Sequence, residues 1–212
     1  EFWFSDRMSS RFHLRPFLTL AAALGLVLPM SGQDIAPKDA SGRALNLGFE
    51  TGDLTDWTAT GGAFRGQPVR GDVVKARRND MESGHAGEYW IGGYEKVGDD
   101  PKGTLTSKPF PITQPWASFR FAGGPWPETR VELVDAASGT VFFKMHGREN
   151  ETLRTVVVDL KDRVGKDMFV RLVDDRSGHW GHINFDGFVF HPKQPKVDNA
   201  YTAAEMRWDE PP

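Results

Sequence analysis

Apolar and polar residues alternate in short runs along most of the chain. Val131–Val134, Val141–Lys144, Leu153–Leu160, Phe169–Val173 and His182–Phe190 are rich in β-branched and aromatic residues, and several alternate with period two. This is the pattern of strands that lay one face on a core. Tyr89–Gly93, Gly103–Ser107 and Ala117–Ala122 extend the series upstream, and an opening strand is expected within Asn46–Trp57. Turn chemistry separates the runs: Ala137-Ser-Gly139, Arg148-Glu-Asn150, Val164-Gly-Lys166 and Arg176-Ser-Gly178. Beyond the N-terminal leader, no window of eleven or more residues carries a helical stripe. Short strands with turn signals about every 8–12 residues predict an all-β antiparallel sandwich of jelly-roll type, with a small barrel as the alternative. There is no internal repeat, which argues against a propeller or solenoid.

One stretch breaks the pattern. Phe17–Leu28 is an almost unbroken apolar run, preceded by Arg11 and Arg15 and followed by Pro29-Met-Ser-Gly-Gln33. A basic flank, a short apolar segment and a helix-breaking, small-residue exit predict an export signal peptide over 8–32. The run is too short for a stable membrane span. A buried N-terminal helix is the competing reading. The expected organisation is an upstream extension over 1–7, the leader over 8–32, a linker over 33–43 and the sandwich over 44–192. A C-terminal linker or tail over 193–212 is expected to be the truncated start of something longer. Export implies a periplasmic or extracellular protein.

Length and composition narrow the classes. The 212 residues suit one domain with trimmings, and 7 Trp and 15 Phe can furnish a sizeable core. With 26 basic against 29 acidic residues the net charge is -3, which leaves no basic excess for nucleic-acid phosphates and excludes nucleic acid as an expected partner. Cysteine is absent, which removes disulfides, thiolate metal sites and cysteine nucleophiles.

Sugar recognition needs aromatic faces for C–H surfaces and planar polar groups for hydroxyls. Trp90, Tyr94, Trp126 and Trp180 are candidate platforms, with His85, Arg120, Arg130, Asp174 and His182 as hydrogen-bonding partners. Phe49 and Trp57, at expected strand ends, read as core; for Trp126, between two prolines, burial and exposure both stay open. The pair His179-Trp-Gly-His182 invites a zinc reading, but spacing fixes no third ligand, and packing of Trp180 with hydrogen bonding by His182 is preferred. A glycosidase needs two carboxylates about 5–9.5 Å apart. Carboxylates are plentiful, yet no catalytic constellation is legible, and the hydrolase elbow, zinc-protease, phosphate-loop and dinucleotide motifs are all missing.

Three stretches are more specific: Asn46-Leu-Gly-Phe-Glu-Thr-Gly-Asp-Leu-Thr-Asp-Trp57, Thr104-Leu-Thr-Ser-Lys-Pro-Phe110 leading to Ser118-Phe-Arg-Phe-Ala-Gly-Gly124, and Val173-Asp-Asp-Arg-Ser-Gly-His-Trp-Gly-His-Ile-Asn-Phe-Asp186. In this order they resemble the galactose-binding-like jelly-roll domains attached to bacterial levanase and sucrase-type hydrolases. Similar domains occur in large secreted multidomain bacterial proteins, including haem-binding, dehydrogenase-like ones. The resemblance spans about Ala44–His191. It implies a non-catalytic accessory module, often carbohydrate-binding, and a structural Ca²⁺ held near Glu50 and Asp186, with Asn46 and Asp53 as lesser ligands. Hard oxygen donors suit that ion. The expected function is thus a secreted carbohydrate-binding module whose partners are a polysaccharide and the neighbouring domains of a longer polypeptide. An interdomain docking module without sugar affinity is the alternative, and a glycoside hydrolase is the third.

Overall fold

A computed structural model of the chain describes residues 34–208. The expected upstream extension and export leader lie outside the described residues, as do positions 209–212. Eleven strands and two short helices follow in order: β1 (Trp57–Gly61), β2 (Val69–Arg70), α1 (Val73–Arg77), β3 (Tyr89–Gly92), α2 (Tyr94–Val97), β4 (Gly103–Ser107), β5 (Phe110–Pro111), β6 (Trp116–Gly123), β7 (Thr129–Asp135), β8 (Val141–His146), β9 (Asn150–Asp159), β10 (Asp167–Asp174) and β11 (Ile183–His191). One sheet has the order β1-β4-β10-β7-β8, with β5 also pairing β10; the other has the order β2-β3-β11-β6-β9. Every strand pair is antiparallel. The fold is an all-β sandwich, in keeping with a galactose-binding-like jelly roll.

Period-two alternation decides what enters the space between the sheets. From β6 come Ala117, Phe119 and Phe121; from β10, Met168, Val170 and Leu172; from β11, Ile183, Phe185, Phe188 and Phe190. The irregularity between Asp186 and Val189 in the β11–β6 register keeps Phe185 and Phe188 both inward although they are three positions apart. Phe49 stacks on Trp57 at 5.1 Å between ring centroids, and both are buried, as expected.

The stretch before Trp57 departs from expectation. Residues 46–56 form turns, not an opening strand. Phe49 and Asp56 both have left-handed backbone, φ 61° and 71°, which a strand cannot accommodate. Asp56 anchors the turn: its buried carboxylate meets Arg43 at 2.7 Å and Lys108 at 3.1 Å. Those bonds hold it far below the usual carboxylate range.

A second, smaller core lies on the outer face of the β2–β9 sheet. Val69, Val74, Trp90, Ala122 and Leu153 are buried there under α1 and the segment that follows it. Asp72 caps α1 by accepting from Lys75 N at 3.0 Å. The covering segment carries Arg77 and Arg78 to the end of the sandwich.

The described residues beyond β11, up to Trp208, also pack onto the sandwich. Ala200 bridges Thr155 on the edge strand β9, and the buried Tyr201 hydroxyl donates to Phe121 O. Arg154 grips Glu205 through both guanidinium nitrogens, at 2.6 and 3.2 Å. Trp208 then lies over Lys144 of β8, 4.0 Å from its ammonium. On the other side, Ile35 bridges Phe190, so the expected linker over 33–43 is docked too. The segment shields the edge of β9, an exposed template for intermolecular pairing when left open. Tyr201→Ala should lower unfolding free energy by about 3 kcal/mol in a denaturant titration; a loss under about 1 kcal/mol would show that the segment merely rests on the surface.

Candidate functional site

One end of the sandwich gathers the loops that carry the chemistry. The β10–β11 connection, α2 with the loop after it, α1 and the start of β9 meet around a hollow of about 190 Å³. Its lining is Arg77, Arg78, Tyr94, Asp99, Glu151, His179, Trp180 and His182. A larger hollow, about 530 Å³, lies at the opposite end of the first sheet, between Pro109, the Asp135 turn and Lys166. That one has no aromatic wall and no buried polar group, so the smaller hollow is the candidate.

The Trp180-Gly-His182 run owes its shape to backbone contacts. Trp180 has φ 58°, an unusual region for a bulky side chain. The next residue has to be glycine: a Cβ at Gly181 would lie 2.6 Å from Gly178 O and 2.8 Å from Asp99 O. A Cβ at Gly124, in the facing β6–β7 loop, would lie 1.8 Å from Trp180 O. These close approaches turn the Trp180 ring onto His182, at 5.2 Å and 27°. Tyr94 meets His182 at a tilt, 5.6 Å and 59°, and the Arg77 guanidinium lies 4.4 Å over Tyr94.

Beneath the rings the charges form a closed chain. His182 Nδ1 meets Asp99 Oδ1 at 2.7 Å and Nε2 meets Glu151 Oε2 at 3.3 Å. Arg77 donates to both Glu151 and Glu95 at 2.7 Å, and Asn184 donates to Glu151 at 2.9 Å. Burial pushes His182 down, but the hydrogen bonds from Asp99 and Glu151 outweigh it and lift its pKa to about 9. Burial likewise raises Glu151, yet the bond to His182 and then those to Arg77 and Asn184 bring it to about 2. The site is therefore an ion network at neutral pH, with an imidazolium at its centre.

Asp174 lies close to this network but below the surface, 2% exposed, with Oδ1 lacking a hydrogen-bond partner among the described residues. Burial lifts it to about 7. Glu151 and Asp99 are clamped on opposite nitrogens of one ring, and Asp174 is sealed from the hollow's opening.

The expected sugar-binding residues divide. Tyr94, Trp180 and His182 meet in the hollow, and Asp174 lies behind it. Trp126 joins from outside: it is half-buried, donates to His179 O at 3.2 Å, and carries the Arg176 guanidinium 3.7 Å over its ring. Trp90 is not a platform. It is fully buried in the small outer core, its Nε1 donates to Gly71 O at 3.0 Å, and His85 stacks on it at 5.8 Å. Arg120 is spent on Gly84 O at 2.7 Å, away from the hollow. Arg130 faces outward from the other sheet, bound to the buried Glu132 at 2.6 Å, which Arg171 shares. The zinc reading of the histidine pair also fails, because His179 is exposed and His182 turns inward to carboxylates.

Arg77, Asp99 and Glu151 went unread in the sequence. They stand on three separate segments, and no local motif marks them. The His179-Trp-Gly-His182 pair and the resemblance carried by the run to Asp186 are the signals that pointed to this loop.

The four expected calcium ligands also split. Asn46 donates to Thr51 Oγ1 at 2.6 Å and to Asp53 O at 3.1 Å, while Asp53 accepts from Thr51 and Thr55. These two residues tie their own turn. Glu50 and Asp186 instead face a common turn: Asp186 accepts from Ala86 N at 2.7 Å, and Glu50 accepts from Glu88 N at 3.0 Å and Tyr89 N at 3.2 Å. Gly87 fits against Glu50 so closely that a Cβ would lie 2.3 Å from Oε1. Among the described residues, no three His, Asp or Glu side chains converge as a metal set.

No family model matches the chain. It is similar to ecdE, a proposed glycosyl hydrolase of Aspergillus rugulosus, with 29% identity over 135 residues, 63% of this chain. The match spans only 18% of that relative's length. Among solved structures, it is similar to the carbohydrate-binding module TmCBM61 in complex with β-1,4-galactotriose, at 19% identity and TM-score 0.43, covering 69% of this chain and 95% of that one. It is also similar to the K1 cleaved adhesin domain of Lys-gingipain from Porphyromonas gingivalis, at 15% identity and TM-score 0.41, covering 67% and 94%.

The charge chain has a measurable pH signature. A histidine whose folded pKa is raised adds stability that is complete below about 6.5, the ordinary imidazole value. That stability is lost as pH climbs through about 9. NMR titration should place His182 near the upper value, and Glu151→Gln should bring it down toward neutrality. A wild-type midpoint near the ordinary value would contradict the network.

Proposed function

We propose that this protein is a carbohydrate-binding module whose ligand contacts the Trp180–Tyr94 hollow. The observation that carries the reading is the stack of Trp180 on His182 with Tyr94 tilted against the same ring, rooted in an ion network that supplies fixed hydrogen-bonding groups beside an aromatic face. A sugar offers the matching chemistry, a C–H face for the ring and hydroxyls for the charged groups.

The surface favours this over interdomain docking. Among the described residues, the strongly exposed large apolar side chains are Tyr94, Val164 and Val197, on three separate segments. A docking face calls for a contiguous patch of several hundred Å². The partial match to a much longer glycosyl hydrolase supports an accessory role within a larger glycan-active polypeptide. The basic-then-apolar leader over 8–32 supports export to the periplasm or beyond.

We further propose that the structural Ca²⁺ implied by the resemblance would be held by Glu50 and Asp186, Asn46 and Asp53 being tied into their own turn. Burial lifts Asp186 to about 7, with Glu50 adding repulsion. A divalent cation would relieve both costs and favour the ionised form.

Affinity electrophoresis of residues 33–212 in gels of galactan, fructan and sulfated polysaccharide tests the binding reading. Retention on one class is expected, weakened at least about tenfold by Trp180→Ala in a folded protein. Uniform mobility in every gel would refute it. For calcium, the expected outcome is a melting temperature raised by roughly 5–10 °C at hundredfold excess over Kd, with no rise in Asp186→Asn. A melting temperature indifferent to the ion would remove it from the account.

A further inference from the structure

From the size of the hollow and the pairing of its charges, we infer that the Trp180–Tyr94 site takes a single neutral sugar ring, the terminal residue of a glycan. The inference rests on the carbohydrate-binding reading and narrows it to a substrate class.

Size comes first. Pockets for drug-sized ligands span about 300–1,000 Å³, whereas this hollow holds about 190 Å³. It is a shallow, open hollow, with Arg77 packed over Tyr94 on one side and His182 behind Trp180. Arg77 takes one face of Tyr94 and His182 one face of Trp180, so the two rings lining the hollow offer a ligand little more than one ring's width of apolar surface. A run of several sugar units needs a row of platforms along a groove. Trp126, the next nearest tryptophan, is held outside the hollow beyond His179 and bears Arg176 on its ring.

Charge pairing then selects among sugars. Three cations reach the hollow, and each is already matched: Arg77 by Glu95 and Glu151, Arg78 by Asp80 at 2.6 Å, and His182 by Asp99 and Glu151. Among the described residues that line the hollow, no guanidinium fork is left to receive a carboxylate or sulfate in the bidentate manner that makes such contacts strong, and Arg176 lies outside it on the Trp126 ring. A uronic acid or sulfated sugar would enter beside Glu151 and Asp99 without a cation to offset it. Hydroxyl groups, which both donate and accept, can add to lone pairs and N–H groups that remain on paired ions without breaking the pairs.

The test is an NMR titration of the folded protein, following the Trp180 indole N–H and the His182 ring. The probes are methyl glycosides of galactose, glucose and fructose, their one-to-four-unit oligosaccharides, and galacturonate. One neutral glycoside should shift both signals, its affinity should change less than about threefold from one to four units, and galacturonate should bind at least about tenfold more weakly. Glu95→Gln, which removes one partner of Arg77, should narrow the gap between neutral and acidic sugar severalfold. Affinity that climbs tenfold or more with chain length, still lost in Trp180→Ala, would overturn the single-ring inference while leaving carbohydrate binding intact. Galacturonate matching or exceeding the neutral sugar would overturn the charge argument. If no sugar moves either signal, both this inference and the binding reading fall.

Discussion

The His182 imidazole sits between two carboxylates in a place that burial denies to water, and the loop end of the sandwich is organised around keeping it charged. Bringing an ion into such a setting costs several kcal/mol unless partners of opposite sign and good geometry arrive with it. Asp99 and Glu151 meet that demand from the α2–β4 loop and β9, and Arg77 on α1 in turn balances Glu151. Each is far from the others in sequence, so the network exists only in the closed sandwich. It in turn supports the rings: Trp180 and Tyr94 rest on His182, and their orientation follows from its position.

The same economy explains why the outer face of the β2–β9 sheet is covered. Trp90 and Leu153 point away from the main core, and alternation alone would leave them in water. The segment carrying α1 folds back over them, buries a second apolar cluster, and delivers Arg77 to Glu151 as a consequence of that packing. Packing and site are therefore coupled. A change that loosens Val74 or Leu153 would reach the hollow through α1 without touching a ligand.

At the opposite margin the chain after β11 performs a related task. Edge strands expose unpaired backbone groups, and the bridge from Ala200 to Thr155, the buried Tyr201 and the Arg154–Glu205 pair cover part of β9. The turn before β1 is pinned likewise, by Asp56 between Arg43 and Lys108. The sequence presents the first as a tail and the second as an opening strand; the order of both comes from specific pairings with residues more than ten positions away.

What the sequence determined by itself was the class of fold and the course of its strands. Alternation and turn chemistry are local properties, each strand carrying its own inward and outward faces, and β4, β6, β7, β9, β10 and β11 lie close to where those patterns put them. The Trp180-Gly-His182 run was legible for a related reason, since its residues are contiguous and carry a resemblance within one stretch. Tertiary structure alone decided which aromatics face outward. Trp90 and Tyr94 stand four positions apart in one motif, yet one is sealed under α1 and the other opens on the hollow. It also decided which of many carboxylates matter: Asp99 and Glu151 differ from the rest only in meeting His182, and a long-range meeting of buried charges has no signature along the chain.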